Sequence, residues 1–244
     1  MVGRFFYGGC ASSTDGDQTH LRNGSRPIIT LLSGPPSCGK TSLCFQFALN
    51  CALADEGRRP VVFICKRRRL ERKPPFLSRG VDPTCDAFQR IQMKYLDGDE
   101  GIKKYFAAFH FHETIPAAVV IDDFGDFFDD RSCQERYANP RGRDLAMVRV
   151  LALCCDAMMH ANEKAKCRLL LSDTHHGDSP RLLFIYKRWV STIFTVKGDD
   201  KGSFIMRRTN NSESRKAEKA RLAKYSLSFQ HLRLQEIMED DEDY

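Results

Sequence analysis

The sequence predicts an α/β fold in which helices flank a mostly parallel central sheet. Three observations support this prediction. Short apolar segments alternate with longer segments of good helix formers along most of the chain. Chain breakers or charged clusters bound the apolar segments, as expected for strands that are buried within a sheet. A glycine-rich loop lies between the first predicted strand and the first predicted helix, which is the usual position of a phosphate-binding loop.

Length and composition indicate an ordinary globular protein. The chain has 244 residues, of which 42% are hydrophobic and 29% are charged. At about 150 residues per domain, this length suits one large domain with appendages or two small domains. Folding should bury roughly 70–75% of the surface of the unfolded chain, which provides a sizeable core. The composition excludes collagen-like and fully disordered chains, and no stretch approaches roughly 18 consecutive apolar residues, so we expect no membrane span.

The charge balance and the cysteines indicate the surroundings of the protein. Lys plus Arg total 38 against 32 for Asp plus Glu, and the resulting net charge of +6 permits an anionic partner without requiring one. The ten cysteines are scattered without Cys-x-x-Cys spacing, and no secretory signal precedes them. We therefore expect a reducing compartment and mostly buried thiols.

Three regions are predicted along the chain. Residues 1–26 form a flexible leader, because most of them are small or polar and show no periodicity. Residues 27–235 form the folded domain, and residues 236–244 form an acidic, solvated tail. No repeat with a period of roughly 20–50 residues is present, which excludes solenoids and propellers.

The first part of the domain is predicted as strand, loop, helix and strand. Residues 28–32 are apolar and β-branched, which favours a buried strand, whereas residues 41–53 follow a glycine and contain good helix formers. Residues 61–64 form a second apolar run and predict the second strand. The charge-dense residues 66–73 come before two prolines and are predicted to be a basic loop.

The middle of the domain is predicted to be mainly helical. Residues 83–96 and 100–112 have helical patterns, and residues 117–121 form a third strand that ends at a cluster of aspartates. Residues 129–143 are polar and arginine-rich and predict a mobile insertion. Asp144 is then expected to cap a long helix that extends through residue 160.

The last part of the domain is predicted to consist of strands. Residues 169–171 and 190–196 predict a fourth and a fifth strand. Residues 203–206 and 225–229 predict a closing antiparallel pair. The order of the strands in space stays open at this point.

The phosphate-binding loop is the strongest functional signal. Its sequence fits Gly-x-x-x-x-Gly-Lys-[Ser/Thr], and backbone N–H groups of such a loop converge on the β-phosphate of a nucleotide. Lys40 is predicted to reach the β- and γ-phosphate oxygens, and Thr41 is predicted to offer its hydroxyl to Mg²⁺. The predicted nucleotide-binding residues are Gly34, Pro35, Pro36, Ser37, Cys38, Gly39, Lys40, Thr41 and Ser42.

Aspartates directly follow the third predicted strand. Asp122 is predicted to be the second metal ligand, because a carboxylate at the carboxyl end of a strand points into the crevice where open α/β sheets bind ligands. Asp123 either polarises the attacking water or is a structural turn acid, and both interpretations stay open. Asp126, Asp129 and Asp130 are interpreted as loop solubilisers.

Taken in order, these motifs resemble the RecA-like strand-exchange ATPases, and within them the short paralogues that act as recombination mediators. The sequence is similar to the ATPases that partner a SWIM-domain zinc protein in Shu-type mediator complexes, over about residues 27–230. The landmarks are Gly34 to Ala48, Val62-Phe63-Ile64 with the basic tract, Val81-Asp82-Pro83, Arg90-Ile91-Gln92-Met93-Lys94-Tyr95, Val119-Val120-Ile121-Asp122-Asp123, Arg168 to Ser172, and Tyr186-Lys187-Arg188-Trp189.

The resemblance implies a RecA-like P-loop NTPase core with antiparallel strands at its C-terminal end. It also implies ATP and Mg²⁺ as cofactors, binding of single-stranded DNA, and association with a SWIM-domain zinc protein and with recombinase filaments. The implied role is homologous recombination in DNA repair, with a location in the nucleus and no membrane contact.

Two departures from the family pattern predict weak or DNA-stimulated ATP hydrolysis. Active recombinases carry a glutamate just beyond the second strand, but Cys65-Lys66-Arg67-Arg68 occupies this stretch. The family's polar sensor, usually a glutamine, is absent from residues 172–176. The candidate catalytic residues are Lys40 and Asp123, and Asp123 lies beside the metal acid, where many related ATPases carry a glutamate.

A basic tract is the predicted DNA-binding surface. It consists of Lys66, Arg67, Arg68, Arg69, Arg72 and Lys73. These cations could contact DNA phosphates, act as a nuclear import signal, or form a solvated face. A second basic region over residues 207–221 fits a solvated helix as well as a nucleic-acid surface, and His175 with His176 is interpreted as a loop element near the nucleotide crevice.

Two other classes of nucleotide-binding protein carry the same loop. One is an AAA+ type remodelling ATPase, although too few residues follow the core for a helical lid domain. The other is a small-molecule P-loop kinase, which needs a mobile lid that bears arginines. Residues 131–143 could form such a lid, so both alternatives stay open.

Overall fold

The computed structural model describes residues 2–6, 27, 29–175, 182–199, 202–210 and 221–239. The described residues form an α/β fold with ten strands in one sheet. The strands are β1 (Ile29–Gly34), β2 (Val61–Cys65), β3 (Leu77–Ser78), β4 (Ile91–Tyr95), β5 (Ala118–Ile121), β6 (Arg168–Thr174), β7 (Thr192–Gly198), β8 (Phe204–Asn210), β9 (Arg221–Ser228) and β10 (His231–Glu239).

The sheet has a parallel part and an antiparallel part. The strand order is β3-β10-β9-β8-β7-β1-β6-β5-β2-β4. Strands β7, β1, β6, β5, β2 and β4 pair in parallel, whereas β7, β8, β9 and β10 form an antiparallel series and β3 pairs in parallel with β10. The carboxyl ends of the parallel strands therefore meet at one edge, where ligands of such sheets bind.

Helices cover both faces of the sheet. They are α1 (Lys40–Ala54), α2 (Arg67–Arg72), α3 (Asp99–Ala107), α4 (Arg131–Arg136), α5 (Pro140–Lys164) and α6 (Leu183–Trp189). Short 3₁₀ helices span Val2–Phe5, Asp86–Arg90, Phe109–Phe111 and Phe124–Phe127. None of the helices in the described part of the chain has the length and apolarity that a membrane span needs.

Alternating strand residues build two apolar layers. On β1, Leu31 packs into the layer of α3 and α5, and its neighbour Leu32 packs into the layer of α1. Both leucines are fully buried. Because successive strand residues point to opposite faces, a strand that is covered on both faces is apolar throughout. This explains why the continuous apolar runs of the sequence are strands of the parallel sheet.

The first residues of the chain pack against the domain. Residues 2–6, predicted to belong to a flexible leader, form a 3₁₀ helix in which Phe5 and Phe6 are buried. The amide of Asn50 in α1 donates to the backbone oxygens of Arg4 (2.8 Å) and Phe6 (3.0 Å). These hydrogen bonds and the packing of Phe5 against Phe47 thus tie this segment to α1, whereas residues 7–26 lie outside the described residues.

Two predictions of local structure on the β2 side of the sheet are wrong. Residues 83–96 were predicted to be helical, but only a 3₁₀ turn forms before β4, which pairs with β2 from Val61↔Ile91 to Cys65↔Tyr95. Pairing at the sheet edge overrides the local helical pattern. Residues 66–73, predicted to be a loop, contain the two-turn helix α2.

Helices also replace the predicted insertion. Residues 129–143 contain α4 and the first turn of α5, whose first residue is Pro140. The side chain of Asn139 caps α5 by accepting from the backbone N–H of Gly142 at 2.7 Å, so Asp144 is not the cap. Proline is favoured at the first helical position because its missing N–H has no helical partner there.

The C-terminal strands extend beyond the prediction. The predicted closing pair is present as β8 and β9, and β10 adds a third antiparallel strand. Strand β10 continues to Glu239, so residues 236–239, predicted to belong to the acidic tail, pair with β9 instead. Residues 240–244 lie outside the described residues.

Candidate nucleotide-binding site

The phosphate-binding loop connects β1 to α1 at the carboxyl edge of the parallel strands. Gly39 adopts the left-handed conformation, with φ of 84°, which glycine takes without steric cost. A Cβ atom at this position would lie 2.8 Å from Cδ1 of Leu227 in β9. The hydroxyl of Tyr225, two residues earlier in β9, donates to the backbone oxygen of Cys38 at 2.7 Å. The antiparallel strand β9 therefore contacts the phosphate-binding loop through these two side chains.

Lys40 is buried at the start of α1. Its Nζ donates to the backbone oxygens of Gly34 (3.0 Å) and Pro35 (2.8 Å). The ammonium group of Lys40 therefore lies against the backbone of the loop that the sequence predicts to bind phosphate.

Thr41 and Asp122 meet across the site. The hydroxyl of Thr41 donates to Oδ2 of Asp122 at 2.8 Å, and the hydroxyl of Ser172 donates to Oδ1 at 2.8 Å. Burial raises the pKa of Asp122, and the neighbouring charge of Asp123 raises it further, whereas the two hydroxyl hydrogen bonds act in the opposite direction. The two residues predicted to hold Mg²⁺ are therefore in contact, and the carboxylate lies in a site that favours added positive charge.

Asp123 lies beside this pair in a left-handed backbone conformation, with φ of 57°. Its backbone N–H donates to Oγ of Ser172 at 2.8 Å, and the hydroxyl of Thr174 donates to its Oδ1 at 2.8 Å. Its Oδ2 forms an ion pair with Arg69 of α2. Asp123 is thus buried and held by three partners at the edge where the strands end.

The predicted basic tract divides into two groups. Three of its side chains have partners within the chain: Lys66 pairs with Asp126 at 3.1 Å, the guanidinium of Arg67 lies 4.5 Å from the ring centre of Tyr95, and Arg69 pairs with Asp123. Arg68, Arg72 and Lys73 are exposed. Their side chains form no ion pair or hydrogen bond with the residues that the structure describes. The tract is therefore not one uniform solvated surface.

The acidic residues after β5 also have structural roles. Asp126 pairs with Lys66 and with Arg69, the latter at 3.5 Å, and Asp130 accepts from the backbone and hydroxyl of Ser132 at the start of α4. Asp129 pairs with Arg143 at 3.6 Å. Their interpretation as loop solubilisers is therefore incomplete, because these aspartates also contact residues of α2, α4 and α5.

Arginines of the segment considered as a kinase lid also form ion pairs. Arg131 pairs with Glu135 at 2.8 Å, and Arg136 pairs with the buried Asp99 at the start of α3. Arg143 pairs with Asp129. The first of these pairs lies within α4, whereas the contacts of Arg136 and Arg143 fasten residues 131–143 to the domain. After β7, the described residues form antiparallel strands, so the helical lid of an AAA+ protein has no counterpart among them.

Several residues of the site were not singled out from the sequence as site residues. Ser172 and Thr174 are two residues apart on β6, so they share one face of the strand, and they contact Asp122 and Asp123. Two hydroxyl residues at this spacing at a strand end could have indicated these contacts. Tyr225 has no local signal, because it reaches the loop only through the pairing of distant strands. His175 is buried, and its Nδ1 lies 2.6 Å from Oγ of Ser33, whereas His176 lies outside the described residues.

Three further features considered from the sequence are the second basic region, the cysteines and a metal site. Arg207 and Arg208 of the second basic region lie on β8, and residues 211–220 are outside the described residues. The described cysteines are free, and all but Cys85 and Cys155 are buried. No group of three His, Cys, Asp or Glu side chains that could hold a metal occurs in the described part of the chain.

The residues present fit a nucleotide with Mg²⁺. Mg²⁺ keeps several waters and is held by one or two protein ligands together with substrate phosphates, so a hydroxyl and a carboxylate in contact are a sufficient protein contribution. Thr41 and Asp122 provide that pair, and the left-handed Gly39 leaves backbone N–H groups free of a side chain.

Comparison with known proteins gives information on the fold of this chain. No protein-family model and no curated protein sequence matches the chain. Among solved structures, 415 chains are similar. One is a KaiC-like protein from the hyperthermophilic archaeon Pyrococcus horikoshii, which is 16% identical, covers 86% of this chain and 90% of its own, and superimposes with a TM-score of 0.59. This likeness confirms the predicted α/β fold class, a core with a mostly parallel sheet, flanking helices and antiparallel strands near the C-terminus.

Proposed function

We propose that this protein binds ATP with Mg²⁺ and hydrolyses it slowly, as a RecA-like subunit. The observation that carries the proposal is the 2.8 Å contact between the hydroxyl of Thr41 and the carboxylate of Asp122, next to the buried ammonium of Lys40. A hydroxyl, a carboxylate and a lysine in this arrangement are the residues with which P-loop proteins hold Mg²⁺ and phosphates.

The residues of the site then take separate roles. The loop N–H groups and Lys40 bind the phosphates, and Thr41 with Asp122 holds Mg²⁺, which neutralises phosphate charge when it is bound. Asp123 accepts a proton from the attacking water. Hydrolysis is slow because residues 66–68 offer only cations where active recombinases carry a glutamate, and one of these cations, Lys66, pairs with Asp126.

ATP binding and turnover by the purified chain test this proposal. We expect Mg²⁺-dependent ATP binding, and turnover that single-stranded DNA increases. Asp123→Asn should retain ATP binding and lower turnover by about a hundredfold or more, because a positioned general base contributes about 10²–10⁴-fold. Asp129→Asn is the matched control, since this exposed aspartate lies in the same acidic segment. Unchanged turnover in Asp123→Asn would remove Asp123 from the mechanism.

We further propose that α2 contacts the phosphates of single-stranded DNA. Arg68, Arg72 and Lys73 support this proposal, because their exposed charges lie within six residues of one another and have no partner among the described residues. Arginine and lysine bind nucleic-acid phosphates directly, and each contact releases counterions. The likeness of the ordered sequence motifs to recombination mediators points to the same ligand.

Removing these three charges together is expected to weaken binding of single-stranded DNA. The slope of log K against log salt should become shallower by about 2, since each phosphate contact on a single strand contributes about 0.7. Titration of a labelled oligothymidylate at several salt concentrations measures both effects. A control variant lacks Lys103, Lys104 and Lys164, which are exposed on α3 and α5. Equal losses in the two variants would contradict a DNA surface on α2.

The resemblance also supports a proposal about partner proteins and cellular location. We propose that the protein associates with a SWIM-domain zinc protein, supports recombinase filaments in homologous recombination, and works in the nucleus. The ordered sequence motifs over about residues 27–230 support this role. Co-expression with a SWIM-domain protein, followed by co-purification, tests the association directly.

A further inference from the structure

Arg69 reaches from α2 to the acidic end of β5. Its guanidinium pairs with Oδ2 of Asp123 and lies 3.5 Å from Oδ2 of Asp126. The Arg69 side chain is 45% exposed, whereas that of Asp123 is 5% exposed. The cation is thus half-exposed at the acidic end of β5, whereas its main partner is buried.

The charge of Arg69 also acts on the metal-binding pair. Arg69 forms an ion pair with Asp123, and Asp123 directly follows Asp122 in the chain. Arg69 therefore lies within electrostatic range of the carboxylate that contacts Thr41. A phosphate group beside Thr41 and Asp122 would enter the same field.

We propose that Arg69 determines specificity for a nucleoside triphosphate over a diphosphate, by exchanging the carboxylate of Asp123 for the terminal phosphate. This inference rests on the proposed function, since it needs a nucleotide in the loop. Phosphate competes well for arginine because the guanidinium fork matches two phosphate oxygens and the phosphate carries more charge than a carboxylate. A diphosphate lacks the terminal group, so it leaves the pair of Arg69 and Asp123 in place.

The exchange has two consequences for the site. Asp123 loses one of its three partners, and its Oδ2 becomes free to accept a proton from water. Arg68 and Arg72 belong to the same short helix as Arg69, so the nucleotide that Arg69 contacts also biases the position of the proposed DNA surface. The site then distinguishes its two nucleotide states even when hydrolysis is slow.

Equilibrium titrations with a non-hydrolysable ATP analogue and with ADP, both with Mg²⁺, test the inference. We expect the wild type to prefer the triphosphate. Arg69→Ala should lower this preference by about tenfold, which is the loss of one charge-assisted contact, while the affinity for ADP stays the same. Asp123→Asn should bind the triphosphate more tightly, because Arg69 then loses its main charged competitor and keeps only the longer contact with Asp126. Arg69→Lys should lie between wild type and alanine.

The comparison of variants separates this inference from the proposed function. Arg79→Ala removes another exposed arginine from the same segment and should behave like wild type. Equal losses of both nucleotides in Arg69→Ala would show a merely structural role and overturn the inference, as would a wild type that binds both nucleotides equally well. A wild type that binds neither nucleotide would overturn both the inference and the proposed function.

Discussion

Replacing Lys40 by alanine is expected to weaken ATP binding by at least about a hundredfold and to abolish turnover. That factor corresponds to about 2.7 kcal/mol, which is within the range of a charge-assisted contact made in a buried site. The ammonium of Lys40 is buried and is the hydrogen-bond donor to the backbone oxygens of Gly34 and Pro35. Alanine removes the cation that would neutralise phosphate charge and leaves two loop oxygens without this donor.

Titration of a fluorescent ATP analogue into wild type and Lys40→Ala measures this effect. Lys104→Ala is the control, because Lys104 is exposed on α3 and should leave the affinity unchanged. Urea unfolding of each variant shows whether the loop change affects the whole domain. An affinity within about threefold of wild type would correspond to less than about 0.7 kcal/mol and would contradict the role of Lys40.

The sequence predicts those parts of the fold that local patterns determine. The strand, loop and helix around Gly39 are local, because apolar periodicity and glycine act over a few residues. The edge strand β4 and the helix α2 were missed, because their states depend on pairing with β2 and on ion pairs with residues that follow β5. Local propensity is a weak guide where tertiary contacts decide.

The candidate site shows the same division. Thr41 and Asp122 were each predicted to be a Mg²⁺ ligand, because Thr41 follows the glycine-rich loop and Asp122 follows the third predicted strand, and the structure brings them to 2.8 Å. The contact between Arg69 and Asp123 was not predicted, because a run of basic residues resembles a surface until its counterions are located. Tyr225 could not be found either, since its contact with the loop depends on the register of strands far apart in the chain.

Replacing Asp122 by asparagine is expected to remove the Mg²⁺ dependence of ATP binding without lowering the stability of the domain. Wild type should bind ATP more weakly when Mg²⁺ is chelated, whereas the affinity of Asp122→Asn should be the same with and without Mg²⁺. The side chain of asparagine keeps an oxygen for a hydroxyl donor but lacks the charge that holds the cation. Titrations with and without chelator, with Asp156→Asn as an exposed control on α5, measure this difference.

The same substitution should not destabilise the nucleotide-free domain. The pKa of Asp122 is raised in the folded state, mainly by burial and then by Asp123. A raised folded pKa stabilises the protein below the unfolded pKa of about 3.9, and this contribution is lost as pH rises through the folded value. Above the folded pKa, the ionised carboxylate is therefore unfavourable for folding.

Asparagine carries no charge at any of these pH values, so its advantage over wild type should grow as the pH rises from about 4 through the folded pKa of Asp122. Urea unfolding with chelator present tests this expectation. A variant that is less stable than wild type throughout this range, and that retains Mg²⁺-dependent ATP binding, would contradict both assignments of Asp122. A buried carboxylate that weakens folding but binds a cation is what a ligand site requires, because the free energy lost in the empty fold is recovered when Mg²⁺ and phosphate bind.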